Sequence, residues 1–296
     1  MQSLWMILAC AAFSLMGAMI KISADHGASL AQIVLFRALP SVVLLLAWAW
    51  LTGRSAKPVS WRLHLNRCAA GGVSMWLGFY ALAQLPLSTA VSLQYTAPLF
   101  IAGWMMWGLG QRDTLRLLAV VLGFVGVVGV LRPSVGHEHF WAALLGLCGG
   151  ALGAVAMLQV RHIGRAGELE WRTVLMFSGV CSLMGLLAVL VQGWVALDWK
   201  AWGGLAAVGL TGLVGQLTMT RAFGAGSALL TAALQYFTII FAAGWGMLIW
   251  GDAIDVIAWA GMALIIASGL LSTWQTYRAG KGAGKETGKE AGRKSG

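Results

Sequence analysis

Charge is what this sequence has least of. Only 10% of its 296 residues are Asp, Glu, Lys or Arg, and the mean hydropathy is +0.80. A soluble domain carries roughly a quarter of its residues charged, so composition excludes that class. Acidic residues number ten, and none lies in the middle of an apolar run. Proton exchange through a buried carboxylate therefore has no candidate residue, which favours a facilitator or exchanger. An enzyme working at membrane depth needs nucleophile, acid and base together. Serines occur in the runs, but His26, His64, His137, His139 and His162 lie in loops or at helix ends. No enzyme is expected. Cysteine is also scarce: Cys10, Cys68, Cys148 and Cys181 fall inside apolar runs, without metal-like spacing or a disulfide framework. They read as small packing residues, and no metal or cofactor is expected.

What is abundant is apolar sequence, 59% of the chain. A hydrocarbon core about 30 Å thick needs about 20 apolar residues per helix. Ten runs meet that length, at roughly 3–22, 30–51, 67–85, 88–109, 115–132, 140–160, 172–193, 201–222, 227–250 and 256–276. The expected fold is an all-α integral membrane protein of ten transmembrane helices. The first run has neither a basic start nor a small-residue cleavage site and reads as a retained helix, with a cleaved signal peptide as the alternative.

The net charge of +10 is a topology signal. With a cytoplasmic N-terminus, the cytoplasmic segments hold sixteen basic residues, Arg67 among them, and the opposite side only Lys21, Arg132 and Lys200, Arg37 being inside a helix. By the positive-inside rule both termini are cytoplasmic, the expected location is a bacterial inner membrane, and no nucleic-acid partner is implied. The Gly- and Lys-rich tail, residues 278–296, is expected to be disordered and to touch anionic lipid headgroups.

One sentence occurs twice. Leu93–Gly110 reads LQYTAPLFIAGWMMWGLG, and Leu234–Gly251 reads LQYFTIIFAAGWGMLIWG. The copies lie on the fourth and ninth runs, so the unit is five helices. Five is odd, so tandem copies enter the membrane from opposite faces as inverted repeats, spanning residues 1–135 and 136–277.

The stretch FYALAQLPLSTAVSLQYTAPLF, Phe79–Phe100, followed by GFVGVVGVL from Gly123, resembles the EamA-type repeat of the drug/metabolite transporter superfamily. Arg37 in FRALPSVVLLL resembles that family's arginine on the second helix. The second copy departs from the first: Ile239 stands in the place of Pro98 and Arg221 in the place of Tyr80. The resemblance implies a permease for a small organic metabolite such as an amino acid or vitamin, working by alternating access. With no buried carboxylate, a neutral, zwitterionic or anionic solute fits better than a dication. The alternative is a non-transporting partner subunit or a lipid scramblase on the same fold.

Gln94, Tyr95, Gln235 and Tyr236 offer amides and phenols at membrane depth, suited to an uncharged or zwitterionic solute. The competing reading is that they bridge helices. Consecutive positions point about 100° apart, so one of each pair faces any cavity. Trp76 and Tyr80, one turn apart, are further substrate candidates. Trp104 and Trp245 share the repeat register and are expected to share a structural task. Arg37 either holds a substrate carboxylate or snorkels outward, and Lys21 and Arg221 are expected to snorkel. Pro98 and Pro40 are expected to kink their helices. The glycine spacings at Gly146, Gly149, Gly150 and Gly153, and at Gly123, Gly126 and Gly129, read as interfaces within the bundle or of a homodimer.

Overall fold

The computed structural model describes residues 2–107, 114–134, 139–224, 234–271, 274 and 278. Among them there are helices and connections and no strand. The helices are α1 (Gln2–Asp25), α2 (Leu30–Leu51), α3 (Trp61–Gln84), α4 (Leu87–Gln94), α5 (Ala97–Trp107), α6 (Thr114–Ser134), α7 (Phe140–Arg165), α8 (Glu170–Gln192), α9 (Trp199–Gly224), α10 (Phe237–Trp250) and α11 (Val256–Leu271). Among the described residues four stretches, Leu4–Asp25, Leu30–Leu51, Phe140–Gly164 and Glu170–Gln192, are long and apolar enough to cross a membrane. Large apolar side chains also cover the outside, Val191 at 87% exposure and Trp50 at 83%. Water would not tolerate such a surface; lipid does. This is a multi-pass membrane protein.

Two expected runs differ from the observed helices. The third begins at Trp61 rather than near 67, because the polar turn from Arg62 to Asn66 contains no helix breaker; this draws Arg67 into the helix. The fourth run is not continuous but divides into α4 and α5. The ninth is described only from residue 234, and of the basic tail only Arg278, whose guanidinium lies 4.3 Å from the Trp274 ring.

Local chemistry sets the ends. Ser29 and Gln32 form a capping box on α2, with bonds of 3.2 and 2.9 Å. Asp198 and Asp255 cap α9 and α11 through the N–H groups of Ala201 and Ala258, each at 2.7 Å. A positive-φ glycine ends the helix region at Gly27 and again at Gly167, and at Gly53 and again at Gly193, both 140 residues on. Gly251, which closes the second copy of the repeated sentence, is a left-handed C-cap at φ +66°.

Three long pairings organise the bundle: α1 along α9, α3 along α7, and α2 along α8. Glycine permits the closest approaches. A Cβ on Gly126 of α6 would stand 2.7 Å from the Gly261 carbonyl oxygen of α11, and one on Gly261 would stand 2.6 Å from that of Gly126. Gly146 faces Ala81 of α3 and Leu93 of α4, Gly150 faces Leu93 at the end of α4, and Gly149 and Gly153 face Ser74 of α3. Both glycine sets therefore pack inside the bundle.

Each end of the bundle is tied separately. At one, Glu168 is buried and accepts from Val59 N (2.6 Å), Leu169 N (3.1 Å) and Arg172 Nη1 (3.3 Å), with His64 Nε2 at 3.1 Å. Arg172 Nε also donates to the Ser55 carbonyl at 2.9 Å. Burial pushes the Glu168 carboxyl up, and the hydrogen bonds from Val59, His64, Leu169 and Arg172 outweigh it, leaving the group below its ordinary value. At the other end Lys21 Nζ donates to the Leu85 carbonyl (3.1 Å), closing α3, and Trp250 Nε1 donates to Asp25 (3.0 Å). Gln32 Nε2 reaches the Val195 carbonyl at 2.9 Å, and His26 lies 3.1 Å from Asp198.

Two outcomes follow. Gly261→Val, which drives a branched side chain into the backbone of α6, should destabilise the detergent-purified protein by about 1–3 kcal/mol. Gly244→Ala, with nothing within 4 Å of its Cβ position, should melt like the wild type. Because the folded Glu168 carboxyl is held below its ordinary value of 4.5, its stabilisation is complete above that pH and is lost as the pH falls through the lower folded value. Glu168→Gln should flatten the acid side of the melting-temperature profile and cost roughly 1–3 kcal/mol near neutrality.

Candidate functional site

Both copies of the repeated sentence turn at the Gln-Tyr pair, the second one residue earlier than the first. In the first, α4 ends at Gln94, Tyr95 and Thr96 form a turn, and α5 resumes at Ala97. In the second, Leu234 is helical, Gln235 and Tyr236 form a turn, and α10 begins at Phe237. Tight three-residue bonds close each break: Leu99 N to Thr96 O at 2.8 Å, and Thr238 N to Gln235 O at 3.0 Å. Pro98 lacks an N–H, which removes one bond to Gln94. It is not the common cause, because the second copy breaks with Ile239 in that place. The break lies upstream of Pro98, whose side chain is outside the described residues.

A broken helix frees carbonyls, and here they find donors. Thr96 Oγ1 donates to the Leu93 carbonyl at 2.6 Å. The Cys10 thiol of α1 points at the Leu234 carbonyl (3.3 Å) and the Gln235 carbonyl (3.8 Å). Cys10 is thus more than a packing residue. Gly150 of α7 lies directly against the first break: a Cβ there would stand 2.6 Å from both Leu93 O and Thr96 Oγ1.

The breaks bring their tyrosines together. Tyr95 Oη donates to Thr238 Oγ1 at 3.0 Å, and the Tyr95 and Tyr236 rings lie 6.3 Å apart at 57°. Tyr236 is 3% exposed; its hydroxyl has no partner among the described residues and lies in the notch left by Gly269 of α11. The glutamines are held loosely. Gln94 Nε2 is buried without a partner among the described residues, over Gly78 of α3, 2.6 Å from where a Cβ would stand. Among those residues Gln235 Nε2 reaches the Met219 sulfur, at 4.0 Å, too weak an acceptor to satisfy an amide. The tyrosines bridge the two breaks, and the amides keep donor capacity in reserve.

The remaining candidates are dispersed. Trp76 packs against Ala31, Leu35 and Val189 with its Nε1 buried and unpartnered among the described residues, whereas Tyr80, one turn further along α3, is exposed. Arg37 does not snorkel: it is 4% exposed and lies on the Phe177 ring. α2 continues through Pro40, with the carbonyl of Phe36 turned to Gly209 of α9. Trp104 and Trp245 do not share a task, since Trp104 is 62% exposed while Trp245 Nε1 donates to Ser14 at 3.3 Å. Arg221's side chain is outside the described residues.

The EamA-like transporter family matches residues 1–132. A curated relative, the pseudopaline exporter CntI of Pseudomonas aeruginosa (strain UCBPP-PA14), is 30% identical over 266 residues, 88% of this chain and 92% of that one. The chain belongs to the EamA-like transporter family. A riboflavin transporter of Rhizobium johnstonii is 30% identical over 284 residues, 90% of this chain and 89% of its own. A solved crystal structure with 16% identity superposes at a TM-score of 0.66, covering 92% of this chain and 97% of that one, and so shares the fold.

In this EamA-family member, Thr238 is the residue that sequence reading passes over: it falls opposite Ala97 in the repeat, so the alignment of the copies hides it. Arg67, counted among the connection charges, also belongs inside. A Tyr95→Phe/Thr238→Val double-mutant cycle in thermal melts should give a coupling of about 0.6 kcal/mol, the usual worth of an interhelical bond in a membrane. A coupling of zero would show that the bond does not join the two breaks.

Proposed function

We propose that this protein is an inner-membrane permease for a small organic metabolite. It has ten spans, both termini cytoplasmic, and five-helix halves at residues 1–135 and 136–277 related by a pseudo-twofold axis in the membrane plane. The halves rock about their meeting point, which exposes a central site first to one face and then to the other. Gln94 and Gln235 supply the amides that meet substrate, Tyr95 and Tyr236 form the septum between halves, and Trp76 and Tyr80 extend the wall. Substrates of the neutral, zwitterionic or anionic class fit this set, by facilitated flux or exchange.

The observation that carries this reading is the meeting of two helix breaks, one in each copy of the repeat, joined by Tyr95 and Thr238. Discontinuous helices facing each other are how many transporters expose polar backbone at depth without exposing it to lipid. The pairings support the symmetry: α1 with α9 and α3 with α7 exchange under a five-helix shift, while α2 with α8 maps onto itself. The glycine turns repeating 140 residues on support it independently.

In proteoliposomes loaded with riboflavin, amino acids or nucleosides, the wild-type protein should move at least one solute. Replacing Gln94 and Gln235 together with Leu should reduce that flux at least tenfold while the melting temperature stays within a few degrees. Full flux in the double variant would remove the amides from the mechanism. Movement of fluorescent lipid in place of solute would replace the permease with a scramblase.

A further inference from the structure

Two arginines enter the apolar interior with no acid to meet them among the described residues. Arg67 lies less than two turns into α3, by the 3.6-residue period. Its guanidinium points deeper still, into the space beside Gly71, one turn further along the helix. A snorkelling arginine at a helix end extends the other way. Arg37 approaches from α2, and both meet the Phe177 ring of α8, at 4.3 Å for Arg67 and 5.8 Å for Arg37. Nε and Nη1 of both side chains are buried without an acceptor among the described residues. The ion pairs among the described residues are His26–Asp198, His64–Glu168 and Arg172–Glu168, and neither arginine takes part in one.

The serines around them are unusual in the same way. Elsewhere a buried hydroxyl donates within its own helix, as Ser23 does to Met19 O, Ser92 to Ser88 O and Thr218 to Val214 O, at 2.7–2.8 Å. The buried serine hydroxyls with no partner among the described residues are Ser41, Ser178 and Ser182. Ser41 follows Arg37 by one turn, on the same face of α2. Ser178 and Ser182 precede Gly185 by seven and three residues, on the face that Gly185 presses to Leu35 of α2. The unpaired donors therefore gather between α2, α3 and α8.

Guanidinium groups are donors only and stay charged in proteins. Two of them converging on one ring repel each other, and the ring face attracts each without offering a hydrogen-bond acceptor. A carboxylate is the complement: acceptor only, negative, and able to take several N–H and O–H donors at once. We infer that Arg37 and Arg67, with Ser41, Ser178 and Ser182, form a binding site between α2, α3 and α8 for the carboxylate of a small organic anion. The inference rests on the transporter reading above and names the class of its substrate.

Thermal unfolding of the detergent-purified full chain tests it, with succinate, citrate, neutral succinamide, chloride at matched ionic strength, and phosphatidylglycerol as probes. Succinate or citrate should raise the melting temperature by several degrees, and the other three should not. The shift should vanish in Arg37→Gln and in Arg67→Gln and persist, reduced, in Arg67→Lys. Without ligand Arg67→Gln should melt no lower than the wild type, since it removes a buried unpaired charge; this separates a lost site from a lost fold. No shift with either carboxylate, an equal shift with succinamide or chloride, or a shift retained in both glutamine variants overturns the site. Protection by phosphatidylglycerol with no response to carboxylates also overturns it and assigns the arginines to lipid. Solute flux that needs Gln94 and Gln235 but is unchanged in both arginine variants removes the site while the transporter reading stands.

Discussion

A bilayer interior offers no water to a broken helix. Every carbonyl and N–H released there must find a partner within the protein, or the break costs several kcal/mol per orphaned group. This protein breaks two helices, and much of its packing answers that constraint. A threonine hydroxyl turns back on its own chain at Leu93. A thiol from α1 covers the carbonyls of Leu234 and Gln235. Gly150 lets α7 lie flush against the first turn, and Gly269 receives the phenol of the second. The breaks exist because neighbouring helices are built to receive them.

Glycine has two uses in this fold, and only one was visible beforehand. Spaced along α6 and α7, glycines announce helix contacts, and those contacts form, α6 on α11 and α7 on α3 and α4. The other use is the single notch into which a polar side chain from elsewhere is laid: Gly78 beneath Gln94, Gly71 beside Arg67, Gly269 beneath Tyr236. A notch has no spacing to betray it, because its partner is defined by three-dimensional packing.

The same division governs what the sequence could disclose of the site. The repeated Gln-Tyr pair marked the position of both breaks, since polar residues at depth are costly and their duplication requires a reason. Within the repeat a kink was expected at Pro98 alone, yet both copies turn at the pair and proline occurs in only one. Trp104 and Trp245 looked equivalent because they share a register; one faces outward and the other bonds to Ser14, since α5 and α10 have different neighbours. Arg67 was read as a connection charge because run length placed the helix start too late, and only the direction of its side chain shows that it belongs to the interior. Register survives duplication; surroundings do not.

The two ends of the bundle are tied in different ways. At one, a single buried carboxylate gathers the 55–59 segment, α3 and α8 into one knot. At the other, Lys21, Asp25, His26 and Gln32 hold four separate contacts, with His26, Asp198 and the Trp250–Asp25 bond open to solvent. A knot yields all at once, since loosening any strand uncovers the charge that the others share. Separate surface ties fray one by one, each worth little alone. The Glu168 end is therefore built to loosen in one step, and the opposite end contact by contact.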